Sequence, residues 1–159
     1  LEVIGNNIAD VVGNLDDLVW KINPRYDNLG SVIYRLASYA EPTAKAKNIV
    51  LHIGANEEIK TYQLRGEAKH HLFLMSKELL NNAMKHSGCR NVYASFEKVN
   101  NDLLVTISDD GRGFDHDTTF SHRNGLHNLR QRADEMKWGL SIDSVSGGGT
   151  RTVIRLPAH

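Results

Sequence analysis

The sequence is poor in the features that mark several classes of protein. It holds one cysteine, Cys89, and three prolines among 159 residues. A single cysteine excludes an internal disulfide and a cysteine-rich zinc site, and it indicates a reducing compartment in which the thiol is buried or idle. No stretch approaches the about 18 apolar residues that a membrane helix needs. We therefore expect that this chain itself is not inserted in a membrane.

The sequence also has no excess of positive or negative charge. The 19 Lys and Arg residues balance 19 Asp and Glu residues, the formal net charge is zero, and the pI is near 7.3. Such a chain attracts a nucleic-acid backbone only weakly, so we expect no nucleic-acid partner. With 24% charged and 40% hydrophobic residues, the composition is that of a folded domain. The start shows neither an initiating Met nor a signal peptide, which favours a cytosolic fragment of a longer protein.

The first part of the chain has a helical pattern. Apolar residues alternate steps of four and three over residues 4–22, which is the period of a coiled-coil seam. This helix either pairs with another helix or packs as a lone amphipathic helix on its own domain. Asn23-Pro24 predicts its end, and a second helix runs toward Pro42, which is expected to break or kink it. We divide the chain into a helix end at 1–24, a linking helix at 25–48 and a domain at 49–159.

The remainder alternates short strands with helices. Residues 49–53 predict a strand, 67–87 a long helix that ends at Gly88, and 92–98 with 103–108 a β-hairpin. A helix from Gly125 to about residue 138 and a second hairpin, 140–145 with 150–156, follow. The predicted fold class is α+β: a two-layer sandwich with a mixed, mainly antiparallel sheet covered by helices on one face.

Polar residues of the long helix and three glycine-bearing loops are the candidate site. Glu78, Asn82 and Lys85 are spaced by four and three, so they share one helix face. Each feature has a plain structural explanation: a solvated helix face, with Glu78 paired to Lys85, and glycines that only make turns. The loops are 109–114, 124–126 and 147–150.

Taken together, these segments resemble a known set of nucleotide-binding motifs. They read Glu-Leu-Leu-Asn-Asn-Ala-Met-Lys-His at 78–86, Asp-Asp-Gly-Arg-Gly-Phe at 109–114, Gly-Leu at 125–126 and Gly-Thr at 149–150. The order and spacing are similar to those of the gyrase, Hsp90, mismatch-repair and histidine-kinase ATPase superfamily. The details look most like sensor histidine kinases of the nitrate-sensor and thermosensor branch, with residues 114–124 as a short lid.

The resemblance implies a pocket for the adenine of ATP. Asp109 would accept a hydrogen bond from the adenine amino group, because an ionised carboxylate only accepts. Gly111 and Gly113 would let the backbone lie against the base. Thr150, which follows Gly149 in the same motif, would complete the pocket directly or through water.

The resemblance also implies a site for the phosphates of ATP. Asn82 would give a neutral oxygen to Mg²⁺, which usually takes few protein ligands. Lys85, with His86 beside it, would face phosphate oxygens. Gly125 and Leu126 would offer backbone N–H groups at a helix N-terminus. The chain has no Gly-x-x-x-x-Gly-Lys-Ser/Thr sequence, so the nucleotide is not expected to be held by a phosphate loop.

Glu78 is the candidate catalytic group, which would polarise an acceptor imidazole. The His116-Asp117 pair falls in the lid and is interpreted as loop, so the phosphoacceptor His is expected outside this chain. The implied partners are a response regulator receiver domain and, in the full-length protein, a second copy. The implied location is the cytoplasmic side of the inner or plasma membrane. Alternatives are a hydrolytic ATPase or anti-sigma-type serine kinase of the same fold, or a nucleotide-sensing dimer module without turnover.

Overall fold

A computed structural model describes residues 2–113 and 120–158; for residues 2–6, 86, 120–123 and 145 it describes the backbone alone. Five α-helices and five β-strands make up this part of the chain. The helices are α1 (Glu2–Ile22), α2 (Leu29–Ala46), α3 (Glu57–Lys60), α4 (Gly66–His86) and α5 (Phe120–Met136). The strands are β1 (Val50–Gly54), β2 (Asn91–Val99), β3 (Asp102–Asp109), β4 (Gly139–Val145) and β5 (Gly149–Leu156).

The strands form one mixed sheet in the order β1-β2-β3-β5-β4. Only β1 and β2 pair in parallel, and the other three pairings are antiparallel. The predicted α+β class with a mainly antiparallel sheet is confirmed. The register pairs Asp109 at the end of β3 with Thr150 at the start of β5, so two predicted site residues meet at one edge of the sheet.

Helices cover one face of this sheet. Alternate residues of β2 and β3 are buried, among them Val92, Phe96 and Val105, while their neighbours are partly exposed. On α4, Leu72 and Met75 are fully buried at helical spacing. The buried residues of α2 belong to the same hydrophobic core. The covered face therefore fixes α4 against the strands that carry Asp109 and Thr150.

Local turn chemistry agrees with the sequence. Asn100 and Asn101, at the β2–β3 turn, have φ of 51° and 75°, which is the left-handed pair that a two-residue hairpin requires. Gly88 follows α4 with φ +62° and marks the predicted end of that helix. Both hairpins are present with bounds within about two residues of the expected ones.

Two predicted helix boundaries are wrong, and the exposure of α1 decides between its two predicted modes of packing. The expected break at Pro42 is wrong, because α2 continues through Pro42 to Ala46 and buries Ala40 and Ala44 on either side of it. Helix α5 begins at Phe120 and not at Gly125. The seam of α1 does not pack on its own domain, since Leu15 is 56% and Ile22 66% exposed.

Candidate nucleotide-binding site

Asp109 ends β3 in a half-buried position. Its Oδ1 accepts a hydrogen bond of 2.9 Å from the backbone N–H of Gly111. Burial raises the pKa of Asp109 above its ordinary value, although hydrogen bonds from the backbone of Gly111 and Thr150 act in the opposite direction. The site thus holds a carboxylate in a setting where a matched hydrogen-bond donor is worth more than it is in open water.

The neighbouring Asp110 has a different function. Its Oδ1 accepts hydrogen bonds from the backbone N–H groups of Arg90 (2.8 Å) and Asn91 (2.9 Å), and its Oδ2 accepts one of 2.7 Å from the Asn91 side chain. Hydrogen bonds from Asn91, reinforced by Arg90, hold the pKa of Asp110 below its ordinary range. Asp110 therefore fastens the end of β3 to the start of β2, which leaves Asp109 to face the site.

The glycine loop after β3 lies against the C-terminal end of α4. The Arg112 N–H donates to the Ser87 carbonyl at 2.8 Å. A β-carbon on Gly111 would lie 2.4 Å from Ser87 Cβ, so only glycine fits there. Ser87, which was not predicted as a site residue, donates its hydroxyl to the Ala83 carbonyl of α4 and accepts a 3.1 Å hydrogen bond from the Cys89 N–H. Packing against Ser87 is a reason for glycine at 111 that involves no ligand.

Gly149 is required by the protein itself. Its φ is +82°, and a β-carbon there would lie 2.0 Å from the Asp109 carbonyl oxygen. Glycine at this position allows β5 to approach β3 at the Asp109–Thr150 pair. On β4, the Ser144 hydroxyl lies 3.2 Å from the Thr150 hydroxyl. The predicted binding residues Asp109, Gly111, Gly149 and Thr150 are thus brought together.

Glu78 and Asn82 form the second part of the site. They lie one turn apart on α4, both half-buried, and both face Gly125 on α5. A β-carbon on Gly125 would lie 2.7 Å from Glu78 Oε1 and 3.8 Å from Asn82 Nδ2. The adjacent Asn81 accepts a 2.6 Å hydrogen bond from the Tyr39 hydroxyl of α2, so it is Asn82 that is directed to the site.

The two parts belong to one region. Ser87, against which the Asp109 loop packs, follows Asn82 by five residues, which is about 7.5 Å along a helix. A nucleotide between them would meet the Asp109 carboxylate at one end and the oxygens of Asn82 and Glu78 at the other. These are hard oxygen donors, and they fit a Mg²⁺ that keeps most of its water.

The other predicted residues are placed as follows. Lys85 is exposed on the same helix, and Gly113 has φ +69°. The side chain of His86 is not described, and the His116-Asp117 pair of the predicted lid lies outside the described residues. The expectation that Gly125 and Leu126 lie at a helix N-terminus is wrong. Five residues of α5 precede Gly125, and interior N–H groups bond to carbonyls of the preceding turn.

A cavity of about 220 Å³ adjoins Glu78 between α4 and α5. Lys77, Arg132 and Asn128 line it together with Glu78. Lys77, Asn128 and Arg132 were not predicted as site residues, because isolated polar residues on a helix surface carry no spacing signal. Glu78 is therefore a wall shared by the Asn82 region and this cavity. The structure describes the side chains of Glu78 and Lys85 and shows no ion pair between them, so it does not support the interpretation of Glu78 as a surface residue paired with Lys85.

Helices cover one face of the sheet, Asp109 places a half-buried carboxylate at the end of β3, and the covering helix carries the Asn82–Glu78 pair. This combination is typical of an ATPase-type nucleotide-binding domain. The chain matches the family model described as histidine kinase-, DNA gyrase B- and HSP90-like ATPase over residues 67–159. The chain belongs to this family.

Individual relatives agree with that assignment. The chain is 32% identical over 102 residues to the sensor protein VraS of Staphylococcus epidermidis. The aligned residues cover 64% of this chain and 29% of VraS. It thus spans under a third of that relative's length. The Acinetobacter baumannii histidine kinase AdeS has the same fold, with a TM-score of 0.69 at 14% identity over 100% of this chain and 86% of that chain.

A further solved structure is ShkA in complex with AMPPNP, with a TM-score of 0.68 at 16% identity over 80% of this chain and 29% of that one. At these identities the likeness to solved structures shows the fold alone. Within residues 2–113 and 120–158, no helix is long and apolar enough to cross a membrane.

Proposed function

We propose that this chain is the ATP-binding catalytic domain of a two-component sensor histidine kinase. The observation that carries the proposal is the meeting of three elements. The Asp109 loop packs on the end of α4, the Asp109–Thr150 pair joins β3 to β5, and Glu78 with Asn82 faces α5 on the same α4. The sensor-protein relatives and the AMPPNP complex of a protein with the same fold support it.

At the adenine end, Asp109 would select the base. Its carboxylate accepts hydrogen bonds, which matches the amino group of adenine and not the oxygen that guanine carries at that position. The partial burial of Asp109 makes a wrong base costly, since an unpaired buried acceptor loses its solvation. Thr150, held at the same edge by the β3–β5 register, would add a second polar contact.

At the phosphate end, Asn82 would offer its side-chain oxygen to Mg²⁺, and Lys85 would balance phosphate charge. His86 is proposed beside Lys85 on the basis of the motif. Bound Mg²⁺ would supply charge neutralisation of the phosphate oxygens. Phosphoryl transfer depends mainly on positioning and charge neutralisation, so few protein groups are needed. Gly125 and Leu126 are proposed to contribute to the nucleotide site through the close approach of α5.

Glu78 would act on the acceptor. Its carboxylate lies between the Asn82 region and the cavity beside α5, where it can accept a proton from an incoming imidazole or hold that ring in one tautomer. The γ-phosphoryl group would pass to a His outside this chain and then to a response regulator receiver domain. The same carboxylate could activate water, as in the hydrolytic alternative.

The exposed seam of α1 supports a dimer in the full-length protein. Ile8, Leu15 and Ile22 are each more than half exposed and repeat at coiled-coil spacing. We propose that residues 1–24 are the end of a dimerisation helix and residues 25–48 its connection to the domain at 49–159. We also propose that the full-length protein is membrane-bound with this domain on the cytoplasmic side, which agrees with the sensor role named for the VraS relative.

Isothermal titration with Mg-ATP tests the nucleotide site. Asp109→Asn should weaken ATP binding by about 1 to 3 kcal/mol, because it replaces an acceptor with an amide that also donates. Asn82→Ala should abolish the Mg²⁺-dependent part of binding and leave Mg²⁺-free nucleotide binding in place. Lys98→Ala, on the exposed end of β2, serves as the matched control. The assignment fails if GTP competes as well as ATP with the unmodified chain.

An experiment with labelled ATP distinguishes the histidine kinase from the hydrolytic ATPase and the serine kinase. With γ-³²P-ATP, the chain should bind nucleotide without labelling itself, and label should appear once a chain carrying the acceptor helix is supplied. Steady release of inorganic phosphate at the same rate without that helix would favour the hydrolytic ATPase. Label on a serine of an added protein would favour the serine-kinase alternative.

A further inference from the structure

Lys69, in the first turn of α4, is a lysine with no exposed surface. Its ammonium donates hydrogen bonds to the Trp20 carbonyl at 2.6 Å and to Asp27 Oδ1 at 3.0 Å. Trp20 lies in the last turn of α1, and Asp27 lies in the segment that joins α1 to α2. A residue of the ATPase core therefore holds the end of a helix whose seam the core leaves exposed.

The sequence explains why the Trp20 carbonyl needs an outside partner. In a continuing helix, the N–H group four residues later would bond it, but position 24 is proline, which has no N–H. The ammonium of Lys69 takes that place. A cation there also interacts favourably with the negative end of the helix dipole of α1. Lys69 is thus a C-terminal cap that α4 supplies to α1.

Among the residues of α1 whose side chains the structure describes (7–22), the other contacts with the core involve the same end of the helix. The Trp20 ring lies 4.9 Å from Lys69 Nζ, 4.9 Å from the Arg35 guanidinium and 5.3 Å from the Phe73 ring. Arg35 forms an ion pair with Asp17, one turn before Trp20. The direction of α1 is consequently set by its last two turns, with Lys69 at the buried centre of the contact.

The chemistry of this contact suits a reversible joint. A buried lysine–carboxylate pair stabilises a fold less than apolar residues of the same volume would, while loss of one partner leaves an uncompensated charge. The arrangement favours one defined geometry over maximal stability. Asp27 is 19% exposed, so both charged groups can be hydrated again when the contact opens.

We propose that Lys69 is a latch that holds α1 at a fixed angle to the ATPase core and whose release lets the core turn about residues 23–26. Asp27 and Asn28 are on the core side of this joint, because their backbone pairs with Leu64 and Gln63. Helix α4 carries both the latch and the site: Lys69 precedes Glu78 by nine residues, about 14 Å along the helix axis. A movement of α1 at the latch would therefore move the rigid element that bears Glu78 and Asn82. That this regulates phosphoryl transfer rests on the proposed kinase function; the latch itself does not.

Spin labels test the latch. Asp10→Cys on α1 and Asp143→Cys on β4, both exposed, are labelled in a Cys89→Ala background. The labelled chain is diluted tenfold into unlabelled chain, so that distances within one molecule dominate. We expect one narrow distance distribution for Lys69 and one at least twice as wide for Lys69→Met. Lys98→Met, an exposed lysine of β2, should leave the width unchanged.

Asp27→Asn gives a second measurement if Lys69→Met does not fold, because it removes the counter-charge and keeps an acceptor at a partly exposed position. It should broaden the distribution in the same direction. An unchanged width in a folded Lys69→Met or Asp27→Asn chain would overturn the latch. ATP affinity is measured on the same samples and should stay within twofold. A chain that broadens but never binds ATP would refute the proposed function and leave the latch intact.

Discussion

Gly149→Ala tests whether the close approach of β5 to β3 builds the nucleotide site. The added β-carbon would lie 2.0 Å from the Asp109 carbonyl oxygen and 3.0 Å from its carbon. Both are backbone atoms, which cannot rotate away as a side chain can. The register at the Asp109–Thr150 pair would have to open, and the Asp109 side chain would move with it.

Gly147→Ala is the control that separates backbone strain from steric overlap as causes of the loss of stability in Gly149→Ala. Its φ is +79°, close to the +82° of Gly149, but a β-carbon there meets no atom within 4 Å. Gly147→Ala therefore measures the conformational cost alone, about 1 to 2 kcal/mol for an L-residue in the left-handed region. Gly149→Ala adds the cost of overpacking, about 1 to 3 kcal/mol, for a total of about 2 to 5 kcal/mol. Gly54→Ala, with open space and no positive φ, should stay within about 0.5 kcal/mol.

Urea denaturation gives the free energy of unfolding for each variant, and titration calorimetry gives its ATP affinity. We expect Gly149→Ala to lose both stability and ATP binding, and Gly147→Ala to lose stability with ATP binding nearly intact. Equal destabilisation of the two variants with equal ATP affinity would show that the close approach to Asp109 does not shape the site.

Three further predictions follow from the same contacts. Gly125→Ala should displace the flexible Glu78 side chain, 2.7 Å from the new β-carbon, and so reduce phosphoryl transfer at least tenfold while the urea midpoint changes little. Because burial raises the pKa of Asp109, its contribution to stability is full below the ordinary aspartate pKa and is lost as pH rises through the raised value. ATP affinity should show the opposite trend. It should fall as the pH is lowered, and the fall should begin at a higher pH than it would for an ordinary aspartate. Calorimetry at several pH values should show no such fall for Asp109→Asn. The pKa of Asp110 is lowered, so its contribution is present above the ordinary pKa and disappears as pH falls; thermal unfolding of Asp110→Asn should therefore lose less stability in acid than the unmodified chain does.

Most of the fold was predictable because its signals are local. The β2–β3 turn follows from Asn100-Asn101, whose left-handed conformations asparagine tolerates better than most residues. The core stripe of α4 follows from 3.6-residue periodicity. The parallel pairing of β1 with β2 was not specified, because it depends on contacts between residues about 40 positions apart. The start of α5 was misplaced because Gly125, a residue of low helix propensity, was interpreted as the beginning of the helix, although α5 runs through it.

The candidate site could be predicted where its residues belong to a short motif that resembles a known family. Asp109 and Asn82 were predicted in this way, and the structure brings together the elements that carry them. Lys69 was missed because lysine is a surface residue by default, and its burial depends on a carbonyl left free by a proline 45 positions away. Lys77 and Arg132 were missed for a related reason: the cavity that they line exists only once α5 packs on α4.

Helix α4 explains why latch, core and site can depend on one another. Its residues divide by helical period into a buried stripe that includes Leu72 and Met75 and a polar face that includes Glu78 and Asn82. A helix packed along one stripe resists rotation about its axis, since rotation would expose that stripe to water at about 25 cal/mol per Å². The polar face is therefore as fixed as the core itself. A force applied to Lys69 at the start of such a helix must move α4 together with the core packed on it, or break the latch. We therefore expect α1 to change the position of the nucleotide site and not its internal geometry.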